Sequence, residues 1–126
     1  MEFNMVGWFE IPVMDMDRAK TFYEAVFQVE IKLQDFGGTK MGWFPWDLEK
    51  PGATGCLIQN KDWYKPSKSD GVLIYFNSTD VQNELDRIEP NGGKIVQSKT
   101  QISPDVGYMA VFLDPEGNRI ALHSRQ

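Results

Sequence analysis

An internal repeat at a spacing of 65 residues constrains this chain more than any other feature of its sequence. Residues 8–27, WFEIPVMDMDRAKTFYEAVF, pass from a strand-like alternation into a helical stripe at Asp15. Residues 73–88, LIYFNSTDVQNELDRI, make the same transition at Asp80 (80 − 15 = 65). The offset continues without a gap: Gly42 matches Gly107, Trp43 matches Tyr108, Gly52 matches Gly117 and Leu57 matches Leu122. Self-similarity at a fixed period specifies two copies of one supersecondary unit. Each copy reads as βαβββ, and one copy alone would leave a sheet face bare, so the two should pair to finish a core. The expected fold class is α+β, with two tandem βαβββ modules. The 126 residues fit one domain, with a first module over about residues 6–59, a linker over 60–70 and a second module over 71–124.

Within the first module, Phe9, Ile11 and Val13 fall on one strand face, and Trp8, Glu10 and Pro12 on the other. The first set should pack on a helix. Ala19, Phe22, Tyr23 and Val26 supply that helix with an apolar stripe, and Asp15 or Asp17 can cap its start. Strands are predicted over 30–36, 39–46 and 53–59, the first two joined by Gly37-Gly38, with Pro45 marking the second as an edge strand or as fraying there. The linker carries Trp63 and Tyr64, which are expected to pack back onto the domain. In the second module, strand 71–77 precedes a helix with Val81, Leu85 and Ile88 on one stripe, stopped by Pro90. Strands follow over 94–102, 107–113 and 118–124.

Charge and composition remove several function classes. Thirteen basic against eighteen acidic residues give −5, and no basic cluster exists, so nucleic acid is not an expected partner. No apolar run approaches a membrane span, and no basic-then-apolar leader opens the sequence. The single Cys56 cannot form an internal disulfide, which fits a reducing, cytoplasmic setting.

Three segments carry a family resemblance. PVMDMDRAKTFYEAVF at 12–27 is similar to the opening pattern "V.D...s..FY...lG" of the vicinal oxygen chelate superfamily, the glyoxalase, bleomycin-resistance and dioxygenase relatives. DPEGNRIAL at 114–122 resembles its closing pattern "DPdGn.iel", and Asn91-Gly92-Gly93 resembles the glycine pair after its second helix. Gln28 departs from the pattern, which more often has Gly there. The resemblance implies a sheet curved around a cleft, helices outside, and frequent dimerisation. In enzymatic members it also implies a divalent metal, held by His or carboxylate side chains from the first and last strands of each module. At those positions this sequence has Trp8, Cys56, Leu73 and Ala121. Three of the four have no ligating atom, so the usual metal centre is not expected.

Other residues then become candidates. Glu10, Tyr75 and His123 lie two positions further along the same strands, on the side the resemblance assigns to the cleft. A Glu10–His123 pair, with the carboxylate fixing the imidazole tautomer, could act as a general base with Tyr75 as donor. It could equally anchor a polar group of a ligand. Trp8, Trp43 and Cys56 are candidate ligand-binding residues on the cleft face, and Trp46 offers a further aromatic wall. The expected function is a metal-independent binder of a small organic molecule, acting as a homodimer. The alternatives are a lyase or isomerase on a small carbonyl compound using Glu10 and His123, a divalent metal in a shifted site, and a regulatory module whose cleft is vestigial.

Overall fold

A computed structural model describes residues 3–126. The first unit runs β1 (Trp8–Pro12), α1 (Met16–Phe27), β2 (Lys32–Phe36), β3 (Thr39–Trp43) and β4 (Thr54–Gln59). The second runs β5 (Ile74–Asn77), α2 (Val81–Ile88), β6 (Lys94–Ser103), β7 (Gly107–Leu113) and β8 (Arg119–Ser124), with a 3₁₀ turn, Glu89–Asn91, after α2. The units form separate four-stranded sheets of identical topology, β1-β4-β3-β2 and β5-β8-β7-β6. In each, the first strand runs parallel to the last.

Local chemistry explains the boundaries. Asp15 caps α1 by accepting from the Arg18 amide at 3.1 Å, and Asp80 caps α2 by accepting from the Gln82 amide at 3.0 Å. Gln28 ends α1 at φ 54, the only non-glycine residue with positive φ among the described residues. Gly37 and Gly38, at φ 62 and 92, make the two-residue β2–β3 turn that strand twist favours. Several strands are shorter than expected. β3 stops at Trp43, ahead of Pro45, and β5 starts only at Ile74, which leaves Leu73 outside the strand. Pro90 does not stop α2 abruptly; its fixed φ suits the 3₁₀ turn that follows.

One apolar core serves both units. Ile11, Val13, Phe22, Tyr23, Val26 and Leu57 join Val81, Leu85, Ile88, Phe112 and Leu122 in a single buried cluster. α1 packs against α2, and the rings of Phe9, Phe27 and Phe44 all meet Phe76 of β5. A polar clasp crosses the junction. Buried Asp114 accepts from the Tyr23 hydroxyl at 2.7 Å, and the Asn118 amide nitrogen donates to the Pro12 carbonyl at 2.7 Å. The Glu116 carboxylate accepts from the Met14 and Asp15 amides at 2.6 and 2.8 Å and pairs with Arg18 at 2.5 Å. The helix-facing side of each sheet is thus committed to the core. Its other face is free of helices.

Candidate functional site

Strand register fixes what the helix-free face of the first sheet presents. Glu10 lies beside Cys56, and Cys56 beside Trp43, so the three side chains share one face with Trp8. The Trp8 and Trp43 rings meet edge to face at 5.6 Å. Glu10 is half-buried at the centre of this group. Its carboxylate accepts a 2.6 Å hydrogen bond from the Tyr64 hydroxyl and a longer one, 3.4 Å, from Trp8 Nε1. Cys56 Sγ stands 4.0 Å away as a weak donor.

The electrostatics follow from that carboxylate. The hydrogen bond to Glu10, with a smaller contribution from burial, raises the Tyr64 phenol above its ordinary range. Burial, and then the charge of Glu10, push the Cys56 thiol up to about 12. Cys56 is therefore a protonated, unreactive thiol at neutral pH. Trp43 Nε1 is buried with no hydrogen-bond partner, which leaves an unused donor in the aromatic wall.

The second sheet carries the other candidates on its own helix-free face. Tyr75, 49% exposed, lies beside Ala121, and His123 lies beside Asn77 and Met109. His123 Nε2 donates to the Val106 carbonyl at 2.7 Å, which assigns its proton to that nitrogen. Glu10 and His123 stand on different sheets, and among the described residues no hydrogen bond or ion pair joins them. The carboxylate–imidazole pair is not assembled within one chain.

Trp63 and Tyr64 separate. Tyr64 packs back onto Glu10, whereas Trp63 is 81% exposed, contrary to expectation, because only Tyr64 finds a polar partner on the sheet. Sequence reasoning did not place Tyr64 in the site. The one available signal was an aromatic pair in an otherwise polar linker. Trp46 also leaves the group and lies in a separate pocket of about 670 Å³ beside β5. A second concavity, about 430 Å³, opens by the start of α1 and is likewise away from Glu10.

The donor set does not fit the metal of the family pattern. Trp8, Leu73 and Ala121 offer no ligating atom, which leaves Cys56 as a lone thiol at those four positions. Among the described residues, no group of three or more His, Cys, Asp or Glu side chains converges. No helix among them is long and apolar enough to cross a membrane.

Comparison with known proteins bears on the fold and the family. A glyoxylase-like domain-containing protein of Didymella fabae is 26% identical over 127 residues, covering 97% of this chain and 94% of that protein. The crystal structure of glyoxalase I from Zea mays superposes with a TM-score of 0.73 at 19% identity over 94% of this chain, which spans only 45% of the maize enzyme. TnmS3, an antibiotic binding protein from Streptomyces sp. CB03234, superposes with a TM-score of 0.66 at 24% identity, covering 100% of this chain and 99% of that one. At these identities the structural matches establish the tandem-module fold alone. Residues 5–122 match the sequence family described as the Glyoxalase/Bleomycin resistance protein/Dioxygenase superfamily. Two βαβββ units, the strand-to-helix turn at Asp15, the Asp114–Asn118 turn and that match across nearly the whole chain agree, and the chain belongs to this superfamily.

Proposed function

We propose that this protein binds a small organic molecule without a metal, at the Glu10 face of its first sheet. The observation that carries the reading is the Glu10 carboxylate, held by the Tyr64 hydroxyl at 2.6 Å beside the indoles of Trp8 and Trp43. A carboxylate flanked by indole rings suits a flat ligand bearing a cationic or hydrogen-bond-donating group. The absence of ligating atoms at Trp8, Leu73 and Ala121 supports a metal-free mode. The likeness of fold to an antibiotic binding protein is consistent with ligand capture as the task.

The reading includes a cytoplasmic homodimer. Trp8 and Tyr75, one on each helix-free face, are 41% and 49% exposed. A second copy could set the Tyr75–His123 face of one chain over the Glu10 face of the other, which would add the polar groups that one chain keeps apart. The mass by light scattering at micromolar concentration tests this, and a monomer would remove the shared cleft.

The central test is a thermal-shift screen of planar amines and amidines against wild type, Glu10→Gln and Trp8→Ala. Compounds that stabilise wild type should lose most of their effect in both variants. Equal responses in all three proteins would refute the site.

A further inference from the structure

The two units share one topology, but the junction between them is not symmetric. On one side, the turn between β7 and β8 drives Asp114, Glu116 and Asn118 into the groove at the end of β1, where they engage Tyr23, the Met14 and Asp15 amides and the Pro12 carbonyl. The 65-residue offset puts Glu49, Pro51 and Ala53 at the corresponding positions of the first unit (114 − 65 = 49, 116 − 65 = 51, 118 − 65 = 53). Neither Pro51 nor Ala53 has a polar side chain that could make such a clasp, and Tyr23 is matched by Ile88 (23 + 65 = 88). Gly52, matching Gly117, has no side chain to place there, and a Cβ built on it would only reach ordinary van der Waals distance from the Asn77 side chain. The groove on this side stays open as the pocket of about 670 Å³.

Its lining defines what it can hold. Phe9, Phe27, Phe44 and Phe76 line it, all only half-buried, with ring centroids 4.7–5.8 Å apart where they meet. Trp46 and Val72, 66% and 87% exposed, stand at the mouth. The charged lining residues, Asp47 and Lys50, lie 3.8 Å apart and offset each other. Six consecutive residues, Val72 to Asn77, line one wall. Consecutive residues alternate between the faces of a strand, so the pocket runs along the edge of β5. Among the described residues β5 pairs only with β8, so its outer edge turns unpaired backbone groups toward this space.

We infer that this open groove is a second small-molecule site, distinct from the Glu10 face, for an uncharged planar aromatic compound with a hydrogen-bonding edge. The volume lies within the roughly 300–1,000 Å³ of ligand pockets, and an aromatic wall with few polar groups is their usual composition. The rings would stack among the phenylalanines while the polar edge meets the backbone of β5. A charged ligand finds no unpaired counter-charge there.

N-phenyl-1-naphthylamine, neutral and fluorescent in apolar surroundings, is the probe. It should bind the full chain saturably at one site per chain. Trp46→Ala and Val72→Asp, both exchanges of exposed side chains, should weaken binding at least tenfold with near-wild-type unfolding midpoints, and Glu10→Gln should leave it unchanged. Loss in Glu10→Gln with retention in the other two would place the probe on the first site and overturn the inference. Absence of saturable binding would overturn it too. So would conversion of a wild-type dimer to a monomer by Val72→Asp together with loss of binding, because the occupant of the groove would then be a second copy. Absence of saturable probe binding would leave the reading of the Glu10 face standing, because that reading is tested separately with cationic amines and amidines.

Discussion

At the scale of single residues, Glu10 governs the chemistry of its face. Its hydrogen bond raises the Tyr64 phenol, so Glu10→Gln should bring that phenol back toward the ordinary tyrosine range, as read by NMR titration of the tyrosine ring carbons. Cys56 offers a second check. With its thiol at about 12, the native protein at pH 8 should react with iodoacetamide roughly a thousandfold more slowly than the unfolded chain. A rate near that of the unfolded chain would mean that neither burial nor Glu10 acts as described. Gln28 holds a left-handed conformation that a side chain disfavours and glycine does not. Gln28→Gly should therefore raise stability by about 1 kcal/mol in urea unfolding. Of these residues, Glu10 was legible in the sequence from strand parity. Tyr64 was not, because its position depends on how a non-periodic linker folds back across the sheet.

At the scale of elements, the start of α1 depends on both units. Asp15 caps it locally, and Glu116 caps it from 101 residues away by taking the Met14 and Asp15 amides. Its carboxylate is fully buried, whereas its partner Arg18 is half-exposed, so truncation leaves two backbone amides at the helix start without their acceptor while water can rehydrate the arginine. Glu116→Ala should cost about 2–3 kcal/mol, more than the roughly 1 kcal/mol of Asp15→Ala. Equal losses in denaturant unfolding would show that the long-range cap adds nothing. Strand and helix identities were readable from periodicity and turn residues. Strand ends were less so: Pro45 marked where β3 gives out, but the late start of β5 reflects which backbone groups find a ladder partner, which composition does not encode.

At the scale of the whole molecule, Asp114 ties the units together at a cost. Burial raises its carboxyl above the ordinary aspartate range, against the hydrogen bonds from Asn118 and Tyr23 that lower it. A raised folded-state value means that its contribution to stability is fully present below the unfolded-state value. That contribution is lost as pH rises through the folded-state value. Relative to Asp114→Asn, wild type should therefore lose stability as pH climbs upward from the ordinary aspartate range. Glu24 has the opposite sign: the Ile31 amide, and then Lys20, lower it, so its contribution is present above the ordinary glutamate range and lost as pH falls. Unfolding midpoints of Asp114→Asn and Glu24→Gln across pH 3–7, each compared with wild type, separate these slopes.

The sequence by itself determined the repeat, the α+β units, the capped helices and the superfamily, because each rests on local periodicity or on motifs a few residues long. It also showed that ligating atoms are missing at Trp8, Leu73 and Ala121, since that depends only on residue type. The tertiary structure decided the rest. It joined Tyr64 to Glu10, kept His123 on the other sheet, sent Trp46 to a separate pocket, and filled one side of the junction while leaving the other open. Those outcomes depend on contacts between segments tens of residues apart, where packing and pairing choose among partners that no local pattern distinguishes.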